Sequence, residues 1–229
     1  MAFVAVAAYG ESGPGYICTD AALTEGGYEP IADALIAVNG GKVVYAGSAS
    51  GWNEADRDSI KIDLHDQYVL PGLIDAHVHL SGSGEADSQF YAPTGQMALK
   101  ILSNAQKNLA AGITTVRDLG GWSELEFDVR RSIQRGEFAG PRMCLAGRFI
   151  SITEAGADYY AGMYRVADGV DEVIKAVREQ VKNGADVIKV EPTGTGCWSR
   201  QLGRPTGDHT AHSVVVNRAK RSLAVDLKT

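Results

Sequence analysis

His77 and His79 are the residues in this chain whose types and spacing most directly suggest chemistry. They close the run Val69-Leu70-Pro71-Gly72-Leu73-Ile74-Asp75-Ala76-His77-Val78-His79-Leu80, which reads as a buried strand. Side chains alternate faces along a strand, so the two imidazoles point one way and Val78 the other. Two imidazoles on one face, one residue apart, can hold a metal ion. The apolar run before them puts the pair at the strand's C-terminal end, where parallel α/β barrels carry their active sites. Lys189 is the second residue of interest, a cation in the apolar run Ala185-Asp186-Val187-Ile188-Lys189-Val190. Burial disfavours a charged lysine, so such a residue is neutralised, paired or chemically modified. The plainer alternative is an outward-facing Lys189 paired with Glu191.

Two regions must position these groups. Residues 1–68 read as all-β and are expected to form a small N-terminal β-sandwich. Ala34–Val38 and Lys42–Ala46 flank Asn39-Gly40-Gly41, a hairpin signal. Ser59–Leu64 alternates polar and apolar residues, as a half-buried strand does. His65 reads as a surface residue in the turn that follows. From residue 69 to 196 strands and helices alternate, which marks a parallel sheet. A helix is expected from Ala98, Ile101, Leu102, Ala105 and Leu109, stopped by Gly112. Ile113–Asp118 is the second strand, and Ser123-Glu124-Leu125-Glu126 has capping-box spacing ahead of a helix to about Arg135. Pro141–Gly147 is the third strand. The long connection Ser151–Asp168, with Tyr159, Tyr160 and Tyr164, reads equally as a pocket cover or a structural loop. Val170, Val173, Ile174, Val177 and Val181 form a helical stripe expected to be core, and Ala185–Val190 is the fourth strand.

These segments resemble the metal-dependent amidohydrolase superfamily, in its imidazolonepropionase-like and Xaa-Pro-dipeptidase-like branch. The string Pro71-Gly72-Leu73-Ile74-Asp75-Ala76-His77-Val78-His79 is similar to the first barrel strand of that family, Gly112–Asp118 to the second and Ala185–Lys189 to the fourth. The resemblance implies a partial TIM-like (β/α) barrel and hydrolysis of a C–N bond in a small amide, lactam or dipeptide-like substrate. It implies a divalent metal centre of two zinc ions, with manganese, iron or nickel as alternatives. Two such ions, about 3.5–4 Å apart, activate a water for attack on the carbonyl carbon. His77 and His79 would be metal ligands, Lys189 would be the carbamylated bridging ligand, and Asp75 and Asp118 would support the site. A mononuclear, deaminase-type member without the carbamate is the alternative enzyme. A non-catalytic fragment acting by association is the alternative of another class.

An eight-stranded barrel takes about 250 residues, and only 159 run from Pro71 to Thr229. The later ligands of the family therefore have no place here, and a truncated gene product or a fragment is the expectation, a frame-shifted end being one origin for its tail. Residues 197–229 carry six basic and two acidic side chains, a balance of +4, whereas the preceding 196 carry sixteen and twenty-six, a balance of −10. His209 and His212 fall in this polar tail and read as loop residues. The net charge of −6 argues against a nucleic-acid partner. Three scattered cysteines suggest neither a disulfide framework nor a zinc–cysteine site. No stretch is long and apolar enough to span a bilayer. Met1–Ala8 lacks a basic leader and reads as a strand rather than a signal peptide, so the cytoplasm is expected. Open sheet edges predict marginal stability or homo-oligomer formation.

Overall fold

The computed structural model describes residues 3–6, 15–22, 29–53, 60–82, 92–153, 162–188, 205–206 and 209–210. The chain divides into two compact units, Met1–Ile74 with Ala111–Thr114, and Asp75–Ala110 with Thr115–Thr229.

The first unit is built on one mixed sheet in the order β1-β5-β2-β3-β4. Its strands are β1 (Phe3–Val6), β2 (Gly15–Ala22), β3 (Ile31–Asn39), β4 (Lys42–Ser48) and β5 (Ile60–Pro71). The expected hairpin forms: β3 and β4 pair antiparallel, ending at Asn39 opposite Lys42. Gly40 and Gly41 both adopt positive φ (57° and 71°), as a two-residue turn of this twist requires. β5 pairs parallel with both β1 and β2. Residues Ala34–Ala37 of β3 are buried on both faces. Ala34 and Ile36 pack with Ile17, Ala22 and Val69 on one side. Leu35 and Ala37 pack under Tyr45, Ala49 and Trp52 on the other. The sandwich expected from the sequence is thus a single sheet among the described residues. On the second face the rings of Tyr45 and Trp52, 5.0 Å apart, lie over Leu35 and Ala37.

The apolar run before the histidines is not one strand. Val69 and Leu70 belong to β5, which carries His65 mid-strand rather than in a turn, and the chain breaks at Gly72 before β6 (Leu73–Val78). Pro71 has no N–H to continue a ladder. Gly72 lies against Thr114, where a Cβ would stand 2.0 Å from Oγ1 and 2.7 Å from Cβ. Gly72→Ala is therefore expected to destabilise the protein by about 1–3 kcal/mol, the usual cost of overpacking. Chemical denaturation of the two proteins measures it, and equal midpoints would contradict it. Leu73 and Ile74 are not buried as expected, being 50% and 70% exposed.

The second unit holds α1 (Thr94–Ala110), α2 (Leu125–Gln134), β8 (Arg142–Leu145), β9 (Phe149–Ser151), β10 (Tyr164–Val166) and α3 (Val170–Lys182). β6, β7 (Ile113–Asp118) and β8 form a three-stranded sheet in that order, with β7 and β8 parallel. α1 turns Met97, Ile101 and Ala105 fully inward, one turn apart as a packed helix face demands. Gly112, at φ 85°, follows the helix end as its spacing predicts. Within the long connection β10 pairs parallel with β9, and Tyr164 meets Phe149 edge to face at 5.2 Å. Tyr159 and Tyr160 lie outside the described residues.

Two expectations for this unit fail. The stripe on α3 is core only in part: Val173 and Val177 pack against Ile150, Ala167 and Ala176, and the other three do not. Val170, Ile174 and Val181 are 76%, 43% and 56% exposed, while Ala176 and Gln180 are the fully buried residues of the helix. Packing against β9 selected the face with a small residue and a hydrogen-bonding one. Ala176 sits beside Ile150, and Gln180 Oε1 accepts the Arg148 N–H at 3.1 Å. The fourth strand is also absent in its described part, Ala185–Ile188. Asp186 N–H donates to the Leu145 carbonyl at 2.8 Å. Its carboxylate accepts the Leu145 N–H at 2.8 Å and an Arg130 N–H at 2.5 Å. A side chain thus occupies the donor that a ladder would have used. A short antiparallel pair, Pro205–Thr206 with His209–Thr210, places His209 in a strand rather than a loop. His212 lies outside the described residues. No helix among the described residues is long and apolar enough to cross a membrane.

Candidate metal centre

β6 ends at Val78, with His77 just before its end and His79 just after it. Their rings stand 5.2 Å apart, centre to centre, at 85°. The spacing of two along the chain puts them on one face, as the pleat requires. Asp75, two residues earlier, uses Oδ1 to accept the His77 N–H at 3.0 Å. It braces the backbone of His77.

The chain after His79 is held from two sides. Asp118, at the end of β7, accepts the Leu80 N–H on Oδ2 and the Gly120 N–H on Oδ1, both at 3.0 Å. Asn104 of α1 donates its amide to the carbonyls of Leu80 (2.9 Å) and Gly82 (3.3 Å). Gly82 N–H closes the turn on the His79 carbonyl at 3.0 Å. Leu80 and Ser81 are fully buried. The Gly120 carbonyl lies 3.4 Å from His79 Nδ1.

Two buried carboxyls support this frame. Burial pushes the Asp118 carboxyl up to about 7, against the lowering effect of its two N–H donors. Burial, and then the nearby Asp118 charge, pushes Glu126 up to about 8. Glu126 does not make the expected capping box. Ser123 and Glu124 both have positive φ, 49° and 69°, and Glu124 takes the cap position without a side-chain bond to the helix end, its carboxylate accepting from Arg148 instead. Glu126 Oε1 instead accepts the Trp122 N–H at 2.6 Å. Sequence reasoning missed Asn104 and gave Glu126 the wrong partner. Asn104 interrupts an apolar helical stripe, the one signal that could have singled it out. Lys189 lies outside the described residues. Among the described residues no three His, Cys, Asp or Glu side chains converge, so the structure gathers His77 and His79 and leaves Asp75 and Asp118 as braces.

The chain belongs to the amidohydrolase family, whose model matches residues 68–196. Ochratoxinase from Aspergillus niger is 28% identical over 205 residues, covering 78% of this chain and 42% of its own. Imidazolonepropionase from Bradyrhizobium diazoefficiens is 44% identical over 61 residues, 26% of this chain and 15% of its own. Among solved structures, a Xaa-Pro dipeptidase with methionine bound in its active site superposes with a TM-score of 0.67 and 25% identity, over 92% of this chain and 56% of that one. The A. niger ochratoxinase structure gives 0.63 and 24%, over 80% and 47%, a likeness of fold. The chain therefore spans about half the length, or less, of the relatives it matches. A second family model, CoA-transferase family III, matches residues 181–229. The amidohydrolase match ends where the charge balance of the sequence reverses.

Proposed function

We propose that residues 69–196 supply the first part of a metal-dependent hydrolase site that cleaves C–N bonds in small amide, lactam or dipeptide-like substrates. The observation that carries this reading is the ring pair of His77 and His79. Two imidazoles bound at a tetrahedral angle, with metal–nitrogen distances of about 2.0–2.1 Å, have ring centres about 5 Å apart. The two rings here are 5.2 Å apart. The donor set, two imidazole nitrogens carried on a hydrogen-bonded stretch of backbone, suits zinc, manganese, iron or nickel. A divalent ion held there would lower the pKa of a bound water and polarise a substrate carbonyl. The protein's own part is to fix the two nitrogens. Asp118 and Asn104 pin the turn that follows His79, and Asp75 pins the backbone of His77.

Lys189 is proposed as the next ligand, carbamylated when its neutral amine adds carbon dioxide and loses a proton. Zinc uptake by the full chain in equilibrium dialysis is expected to rise with added bicarbonate, and this rise is expected to vanish in Lys189→Ala. The metal-loaded chain is expected to release amine from N-acyl amino acids, lactams or Xaa-Pro dipeptides until a chelator is added. Bicarbonate-independent uptake contradicts the role of Lys189. Absence of turnover on all three classes, or turnover that survives chelation, contradicts the hydrolase reading.

A further inference from the structure

The loop between β7 and α2 has its backbone donors committed one after another. Leu119 N–H donates to the Val78 carbonyl at 3.2 Å, and Gly120 N–H to Asp118. Gly121 N–H donates to the Gly147 carbonyl at 3.0 Å, and Ser123 N–H to the Gly162 carbonyl at 2.6 Å. Trp122 N–H alone among these five uses a helix side chain, Glu126. That carboxyl is almost fully buried, and its second oxygen fills the space beside Gly121, where a Cβ would stand 2.0 Å from Oε2. Glycine is needed at this position because the carboxyl is there.

The Gly120 carbonyl can only accept a hydrogen bond, so its approach to His79 Nδ1 places a proton on Nδ1, and in the neutral ring the lone pair is then on Nε2. A ligating histidine depends on such a partner to fix both tautomer and ring direction. We propose that Glu126 is a positioning residue for His79, acting through the backbone of Gly120–Trp122. This inference rests on the proposed metal role of His79, but its first readout needs no metal. The carboxyl that holds the loop is close to neutral at physiological pH, because burial has raised it to about 8. Glutamine can therefore reproduce it, with an amide oxygen for the Trp122 N–H and no charge. Asp118 is the acidic neighbour that most affects Glu126, followed by Glu124.

The test is long-range ¹⁵N NMR of the metal-free full chain, followed by zinc titration against a chromophoric chelator. Wild type and Glu126→Gln are expected to show His79 as the Nδ1–H tautomer, with zinc dissociation constants within about twofold. Glu126→Ala and Gly121→Ala are expected to show mixed tautomers and roughly tenfold weaker zinc binding, the range seen when outer-shell partners are lost. An Nε2–H tautomer of His79 in wild type overturns the proposal whatever the variants do. So does a folded Glu126→Ala with unchanged tautomer and affinity. If wild type binds no zinc while the tautomers shift as described, the metal reading fails and the positioning role stands.

Discussion

Replacing His77 or His79 by alanine is expected to weaken zinc binding by about a hundredfold, and replacing both to abolish it. Structural zinc sites with four ligands bind with about 10–16 kcal/mol, so one ligand is worth about 3 kcal/mol. At about 1.4 kcal/mol per decade that is about two decades in affinity. The two rings, 5.2 Å apart at the end of β6, would be lost one at a time, and the remaining imidazole cannot chelate. Both side chains are only partly buried, so alanine there is expected to leave the melting transition within a few degrees of wild type. Competition with a chromophoric chelator measures the affinity. An unchanged dissociation constant in the double variant would place the metal elsewhere or nowhere.

Asp118→Ala is expected to cost about 3–5 kcal/mol of stability. The carboxyl is fully buried and accepts two backbone N–H groups, from Leu80 and Gly120. Alanine would leave both buried donors unpartnered, each at about 1–3 kcal/mol. Asp118→Asn keeps one acceptor and is expected to cost less. The pH dependence follows from the same burial. The carboxyls of Asp118 and Glu126 both stand above their ordinary values of 3.8 and 4.5, near 7 and 8. The folded state then binds more protons than the unfolded state across the interval between those values, and stability falls as pH rises. Their contribution is complete below about pH 4 and is lost as pH passes through 7 to 8. Denaturant melts of wild type are expected to show less stability at pH 8.5 than at pH 5.5. Glu126→Gln is expected to flatten that difference, because one of the two titrations is gone. A fall of the same size in Glu126→Gln would show that the buried pair is not its source.

Local pattern was enough wherever one residue type decides the backbone. Asn39-Gly40-Gly41 specified the hairpin because only such residues accept two successive positive φ angles. The two-residue spacing of His77 and His79 specified a shared face because a strand has no other periodicity. The β7 strand, Ile113–Asp118, stands where its sequence placed it. What could not be read depended on partners distant in the chain. Leu73 and Ile74 look like core residues and are exposed. Val170, Ile174 and Val181 of the α3 stripe are exposed because β9 and the Arg148 backbone centre the buried face on Ala176 and Gln180, leaving only Val173 and Val177 of the stripe packed beside it. Glu126 matched a capping box in spacing, but the positive φ of Ser123 and Glu124 removed the cap and sent the carboxyl to Trp122. The role of Asp118 as a brace, by contrast, was legible only as a carboxylate at a strand end; its two donors come from a turn and a loop that no periodicity joins.

X-ray absorption at the zinc edge, on the full chain loaded with one equivalent, tests the central claim most directly. The account predicts a first shell containing two imidazole nitrogens at about 2.0–2.1 Å, both lost in the double alanine variant of His77 and His79. A shell without imidazole, or one unchanged by that variant, would contradict it.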